Sequence, residues 1–354
     1  MNTNAAVGEK LHAGHDRAWP LGASALFLAW AAPSHTRRSE LMARQLGIPL
    51  KRIRVLRKRS WLVPLRYALQ GLLTLTTLFR ERPRVIFVQN PPIFASLFAW
   101  LYCALTRSHL IIDSHTDALH SDVWRWSLPL HRFLSRRALT TLVTNAHLQH
   151  VVVAWRARSD IVVDVPSDLP PGKPYPIDRP FNVAMVSSYA PDEPFEAVIE
   201  MARSLPDVGF FVTGDPAWRA EPIPTDLPSN LCLTGLLPDD EYYGLLRSVD
   251  AVMALTTEDH TMQRGACEAV WLGQPIITSH WPVLREAFHT GAVHVDNTAE
   301  GIRAGVLRMR EARQQFAQGV LRLQQERRKK WQDIAVQLAD LITSSSNRRR
   351  APSR

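Results

Sequence analysis

The feature that most constrains this chain is an alternation of apolar runs with helical stretches. It occurs twice, on either side of a proline-rich break. Residues 23–30 form a short apolar run ending at Ala31-Ala32-Pro33, and a helical stretch follows over 37–46. Residues 85–88 read as a buried strand closed by Asn90-Pro91-Pro92. A helix over 92–106, a strand over 110–113, a helix over 128–139 and a strand over 140–144 come next. Strands that are apolar along their length and alternate with helices belong to parallel sheets covered on both faces. Residues 166–180 break the pattern with Pro166, Pro170, Pro171, Pro174, Pro176 and Pro180. The alternation then restarts, with strands over 182–186, 209–213, 231–234, 251–255 and 275–278 and helices over 193–204, 239–248 and 264–272. The reading is α/β, with doubly wound domains at 21–165 and 181–300 and a linker at 166–180. Residues 1–20 form a disordered leader, 301–343 further helices and 344–354 a disordered basic tail. A cleft between the two domains, at the carboxyl ends of their strands, is the expected ligand site.

At 354 residues and 46% hydrophobic, the chain can bury two cores. Its three cysteines, Cys103, Cys232 and Cys267, lack metal-ligand spacing. They predict neither a disulfide framework nor a zinc site, which fits a reducing cytoplasmic compartment. The first 20 residues carry Glu9 and Asp16 and no apolar run, unlike a signal peptide. Residues 62–79 are interrupted by Pro64, Arg66 and Gln70, with leucines at 62, 65, 69, 72 and 73. They read as an amphipathic helix rather than a membrane span. Residues 92–106 are too short to cross a bilayer, so no transmembrane helix is expected.

The net charge of +9 points to an anionic partner. Arg37, Arg38, Arg44, Lys51, Arg52, Arg54, Arg57, Lys58, Arg59 and Arg66 face the single acid Glu40, and Trp61 and the amphipathic stretch follow. Such a cluster beside an apolar helical face suits docking of residues 37–79 to an anionic membrane. A merely solvated basic face is the plainer alternative. Nucleic acid is the rival partner, but no nucleic-acid-binding motif accompanies the stripe, so none is expected.

The most informative stretch for chemistry is Glu268-Ala269-Val270-Trp271-Leu272-Gly273-Gln274-Pro275, followed by a buried strand. A helix closed by Gly and then Pro is a compact unit. Glu268 is on one reading an ordinary helix residue. On the other it hydrogen-bonds a ribose diol, while Thr261, Met262, Gln263, Arg264 and Gly265 offer backbone N–H groups and a cation to a diphosphate.

With Leu233-Thr234-Gly235-Leu236-Leu237-Pro238-Asp239-Asp240-Glu241 and Asp250-Ala251-Val252 upstream, this stretch resembles the donor half of GT-B glycosyltransferases, especially retaining family 4. The resemblance implies two Rossmann-like domains facing a cleft, the base beside Gly235 and Leu236, and the ribose on Glu268. It implies a GDP- or UDP-sugar as co-substrate, with no other cofactor and no metal. That family has a second Glu eight positions before the first, where this chain has His260. The Arg and Lys of the family are absent around Ser187, Ser188 and Glu193.

A second resemblance is to the chitobiosyldiphospho-lipid β-mannosyltransferases, inverting enzymes that use GDP-mannose and a lipid-diphosphate acceptor. It rests on Gln89-Asn90-Pro91-Pro92, on Asp113-Ser114-His115 and on Ser187-Ser188-Tyr189-Ala190-Pro191-Asp192-Glu193. Ser114 and Thr116 stand where that family has Trp and Asn.

His115 follows a buried strand, and an imidazole at a strand's carboxyl end suits proton transfer. A loop histidine satisfied by its neighbours is the alternative. Asp113 could orient His115 or act as base, and Asp117 is a third base candidate if the reaction inverts. Retention would instead rest on leaving-group stabilisation by the diphosphate pocket. Asn90, His35 and Thr36 are placed on the acceptor side.

The resulting expectation is a glycosyltransferase moving a sugar, mannose by resemblance, to a lipid-linked or glycan acceptor. It would be peripheral on the cytoplasmic face of a membrane. A GT-B sugar epimerase and a catalytically silent nucleotide-sugar-binding subunit remain as alternatives.

Overall fold

The computed structural model describes residues 24–31, 36–55 and 63–350. The leader at 1–20 and His35 lie outside them. The chain divides into two compact units, residues 1–165 with 331–354, and residues 166–330. Each is built on a six-stranded sheet in which every pairing is parallel.

The first unit holds β1 (Ala25–Ala29), α1 (Arg37–Gln45), β2 (Leu50–Arg52), α2 (Val63–Glu81), β3 (Val85–Asn90), α3 (Ile93–Thr106) and β4 (His109–Ser114). It continues with α4 (Asp117–His120), α5 (Asp122–Arg125), α6 (Leu128–Ser135), β5 (Thr140–Val143), α7 (Ala146–Ala154) and β6 (Ser159–Ile161). Its strands run in the order β2-β1-β3-β4-β5-β6. The order reverses between β1 and β3, which makes their carboxyl ends the switch point. Register sets Gln89 beside Asp113 and Asn90 beside Ser114.

The second unit holds β7 (Phe181–Met185), α8 (Phe195–Arg203), β8 (Val208–Thr213), β9 (Leu231–Gly235), α9 (Asp239–Ser248) and β10 (Ala251–Ala254). α10 (Arg264–Leu272), β11 (Ile276–Ser279), α11 (Pro282–Ala287), β12 (Ala292–Val295) and α12 (Ala299–Glu311) complete it. The order β12-β11-β10-β7-β8-β9 is the doubly wound dinucleotide-fold arrangement, with its reversal between β7 and β10.

Both sheets bury apolar residues on two faces, which explains the uninterrupted strand sequences. Val183, Met185, Val212 and Met253 pack on α8 and α12, while Ala184, Val252 and Ala254 pack on α10. Gly265 lets α10 approach β7 closely, since a Cβ there would stand 2.5 Å from Val186.

Residues 166–180 have no regular secondary structure but are fastened to α9. Arg247 donates to the carbonyls of Leu169 and Pro170, and Lys173 N–H donates to Asp240 O at 2.8 Å. Gly172, at φ +75°, lies so close that a Cβ would meet the Gly244 nitrogen at 2.3 Å. The prolines stiffen a strap on the second unit.

The last helix, α13 (Arg313–Arg350), runs past residue 343, where the sequence reading placed the start of a disordered tail. No proline or glycine interrupts the chain between Gly319 and Pro352, so nothing there stops a helix. α13 begins in the second unit and ends in the first. Val320 and Leu323 join the second unit's core, and Trp331, Leu338 and Ile342 join the first unit's core beside Phe27 and Leu142. Among the described residues, no helix is long and apolar enough to cross a membrane. Trp331→Ala should therefore destabilise the first unit by about 3–5 kcal/mol, read as a lower denaturation midpoint in urea.

Candidate functional site

Each unit gathers polar residues at the carboxyl ends of its central strands. In the first unit, Asp113 is fully buried on β4. Arg38, one residue into α1, brings its Nε to both carboxylate oxygens at 3.1 and 3.3 Å, and its terminal nitrogen donates to Val162 O at 2.8 Å. Burial alone would raise the Asp113 pKa. The Arg38 guanidinium, with His115 behind it, outweighs burial and holds the carboxyl below its usual range. His115 Nε2 lies 3.4 Å from the second carboxylate oxygen. A carboxylate locked to an arginine is a weak base, so Asp113 is suited to orient His115 rather than to take a proton. Asp117 is exposed at the first position of α4.

Asn90, buried at the end of β3, donates through Nδ2 to His131 Nε2 at 3.2 Å. Ser114 Oγ lies 2.9 Å from the same nitrogen. His131, on α6, is fully buried, and burial pushes its pKa down to about 4. Its neutral ring thus ties together the ends of β3 and β4, on which His115 follows directly. The His115 backbone N–H is held in turn by Asn90 O at 2.9 Å. Thr36 is buried with its hydroxyl committed: it donates to Glu40 at 2.7 Å and accepts from Arg52 Nε at 3.1 Å. That side chain fastens α1 to β2.

In the second unit, the loops after β7 and β10 meet at the switch point. Glu193 folds back on the β7 loop, accepting from the Ser187 hydroxyl, from Ser188 N–H and Oγ at 2.8 Å each, and from Tyr189 N–H at 3.2 Å. Ser187 and Ser188 were expected at the donor; their hydroxyls serve this internal carboxylate. Asp192 joins the two loops by accepting from Thr256 Oγ1 at 2.5 Å.

Residues 261–263 lead into α10, whose first turn no side chain caps, so backbone N–H groups at Arg264 and Gly265 face an end with positive partial charge. Glu268, one turn further on, is buried. One oxygen accepts from Tyr242 OH at 2.6 Å and the other from Arg264 Nε at 3.0 Å. Burial, then the Glu268 charge, raises the Tyr242 pKa well above its ordinary value, so the phenol remains a donor. Gly235 takes a positive φ of 68° at the end of β9, and Leu236 is exposed beside it. His260 also takes a positive φ, 63°, with Nε2 3.4 Å from Asp259.

Arg38, His131 and Tyr242 were missed by the sequence reading. Each lies far along the chain from its partner, and no local spacing marks it. A cavity of about 320 Å³ lined by Arg179, Gly209, Asn230 and Cys232 lies at the amino ends of β8 and β9. That is the opposite end of the sheet from where ligands bind in this fold. Among the described residues, no His, Cys, Asp and Glu group is arranged to hold a metal ion.

No family model matches the chain, and no curated protein matches it. Solved structures share its fold at low identity. HepE from Anabaena, crystallised with UDP and glucose, superposes with a TM-score of 0.63 at 15% identity, covering 89% of this chain and 99% of that one. Sucrose-phosphate synthase from Thermosynechococcus elongatus gives 0.66 at 11% identity, over 91% and 98%. A UDP-N-acetylglucosamine 2-epimerase from Listeria monocytogenes, described as putative, gives 0.57 at 14% identity, over 84% and 91%. The chain thus has the two-domain α/β architecture called GT-B.

A buried histidine that is neutral in the fold but titrates normally when unfolded makes stability fall with pH. The unfolded chain takes up its proton near pH 6.5, whereas the folded ring resists until about 4. Stability should therefore decline between those values, by up to about 3 kcal/mol from this residue. His131→Asn should flatten that decline in urea titrations repeated from pH 7 to 4. An unchanged slope would remove His131 as its source.

Proposed function

We propose that this chain is a glycosyltransferase that moves a sugar from a nucleoside-diphosphate donor to a glycan or lipid-linked acceptor. The observation that carries the reading is Glu268, a buried carboxylate one turn into an uncapped helix at the switch point of the second sheet. A carboxylate has about four acceptor positions. Tyr242 and Arg264 use two, leaving capacity for the two hydroxyls of a ribose. The diphosphate would lie at the N-terminus of α10, with Thr261, Met262, Gln263, Arg264 and Gly265 around it. The base would lie by Gly235 and the exposed Leu236. UDP is the first nucleotide to test, because HepE was crystallised with it. GDP-mannose follows from the mannosyltransferase resemblance.

On the acceptor side, we assign proton transfer to His115. Its Nε2 is buried against Asp113, which favours the proton on that nitrogen and leaves Nδ1 to accept. If the reaction inverts, the acceptor hydroxyl gives its proton to Nδ1 as oxygen attacks the anomeric carbon and the nucleoside diphosphate departs. If it retains configuration, no such base is required. The fold of the Listeria protein keeps sugar epimerisation as a second reading. Product analysis separates the two, since an epimerase leaves the sugar on its nucleotide.

Two measurements test the proposal. One nucleotide family should raise the melting temperature, and Glu268→Ala should abolish the shift while Tyr242→Phe weakens it about tenfold in Kd. No stabilisation by any nucleotide would sink the donor site. His115→Ala should retain donor binding and lose at least about 100-fold in transfer. Near-parental turnover would remove His115 from the chemistry.

A further inference from the structure

The amphipathic helix α2 is mounted in an unusual sense. Its inward face joins the core through Leu78, Tyr67 and Leu75, and its other buried positions are polar or small. Gln70, 4% exposed, donates to Ile53 O at 2.9 Å, and fully buried Thr74 accepts from Trp30 Nε1 at 2.8 Å. Gly71 lies against the Phe98 ring of α3. Its outward face carries the leucines instead. Leu65, Leu72, Leu73 and Phe79 are 52%, 59%, 44% and 46% exposed, and Leu69 is exposed between them. Leu65, Leu69, Leu72 and Leu73 recur at three- and four-residue spacing and Phe79 follows two turns after Leu72, so all five lie along one helical stripe about 21 Å long. On α3, against which α2 packs, Leu105 is exposed too. Scattered surface leucines are ordinary, but a continuous stripe on one helix marks an interaction surface.

The charges around the stripe identify its partner. Arg66 stands at its start, and Arg80, Arg82 and Arg84 stand at and beyond its end. The sole acid of α2, Glu81, is paired with Lys51 at 3.1 Å. A second copy laid along the stripe in either direction would set arginines against arginines, because both ends are cationic. An anionic bilayer offers what both parts need, phosphates for the ends and hydrocarbon for the middle.

We propose that α2 lies in the surface of an anionic membrane, its leucine stripe inserted among the acyl chains and its terminal arginines on the headgroup phosphates. Of the basic run read from the sequence, Arg38 is paired with Asp113, Arg52 with Glu40 and Lys51 with Glu81, while Arg57, Lys58, Arg59 and Trp61 lie outside the described residues. The proposal does not depend on the transfer reading, since nucleotide binding is a separate measurement.

The test is co-sedimentation of the full chain with phosphatidylcholine vesicles, with and without phosphatidylglycerol. The chain should pellet with the phosphatidylglycerol vesicles, and at least about tenfold less with neutral ones. The double variant Leu69→Gln, Leu72→Gln should lose binding at least about tenfold even at low salt, while its melting temperature and its nucleotide response stay parental. Arg80→Gln with Arg82→Gln should lower binding to the anionic vesicles alone. Equal pelleting of the leucine variant and the parent would overturn the proposal. So would no pelleting of the parent, or a parent dimer that the leucine substitutions convert to monomer, which would make the stripe a self-association face. None of these outcomes touches the donor-site reading, which stands or falls on the nucleotide shift.

Discussion

Everything in this molecule follows from the requirement that parallel strands be joined by crossovers. Each strand must be re-entered from the same end, so the loops after the strands all gather on one side of the sheet. With helices over both faces, the central strands are apolar through their middles. Polarity therefore appears abruptly: Asp113-Ser114-His115 after Leu110-Ile111-Ile112, Ser187-Ser188 after Val186, and Thr256-Thr257 after Leu255. Where the winding reverses, two such loops diverge and leave backbone groups uncovered. The two units place that reversal between different local strands, β1 and β3 in one, β7 and β10 in the other. Each thus has its own place for chemistry.

Three carboxylates at these ends show how burial decides what a charge can do. Asp113 is paired with a guanidinium and kept ionised, and removing Arg38 would strand a buried charge at a cost of about 3–5 kcal/mol. Glu193 is satisfied by N–H and hydroxyl groups of the β7 loop, so it fills a concavity of donors that would otherwise attract an anion. Glu268 is held by a phenol and an arginine, one on each oxygen, and retains acceptor capacity. Only the last combines burial, fixed position and unused lone pairs. That is why the donor reading rests on it rather than on the serines.

Much of this was legible in the sequence, for identifiable reasons. The limits of α9 and α10 follow from Pro238, Gly273 and Pro275, residues whose backbone preferences act locally. β2, β6 and β12 were not legible. β2 is the three-residue edge strand Leu50-Lys51-Arg52, whose charges suit an edge and hide it from an apolar pattern. The candidate residues at strand ends could be named from the sequence because the strand pattern marks those ends. Their partners could not, because Arg38 reaches Asp113 across 75 positions and Tyr242 reaches Glu268 across 26. Such pairings are consequences of the fold, not of spacing.

The orientation of α2 lies at the boundary between these cases. Periodicity reveals a leucine stripe, and the usual inference sends such a stripe inward. What turns it outward is the opposite face. Gln70 has a carbonyl to satisfy at Ile53, Thr74 meets the Trp30 indole, and Gly71 alone is small enough for the Phe98 ring. Replacing that face by leucines would leave the carbonyl and the indole N–H without these partners and overfill the space against α3. The helix is therefore held by these hydrogen bonds, by shape and by the buried Leu78, while its leucine stripe stays outside the core. A surface that keeps such a stripe exposed risks aggregation, and the arginines at both ends oppose self-pairing.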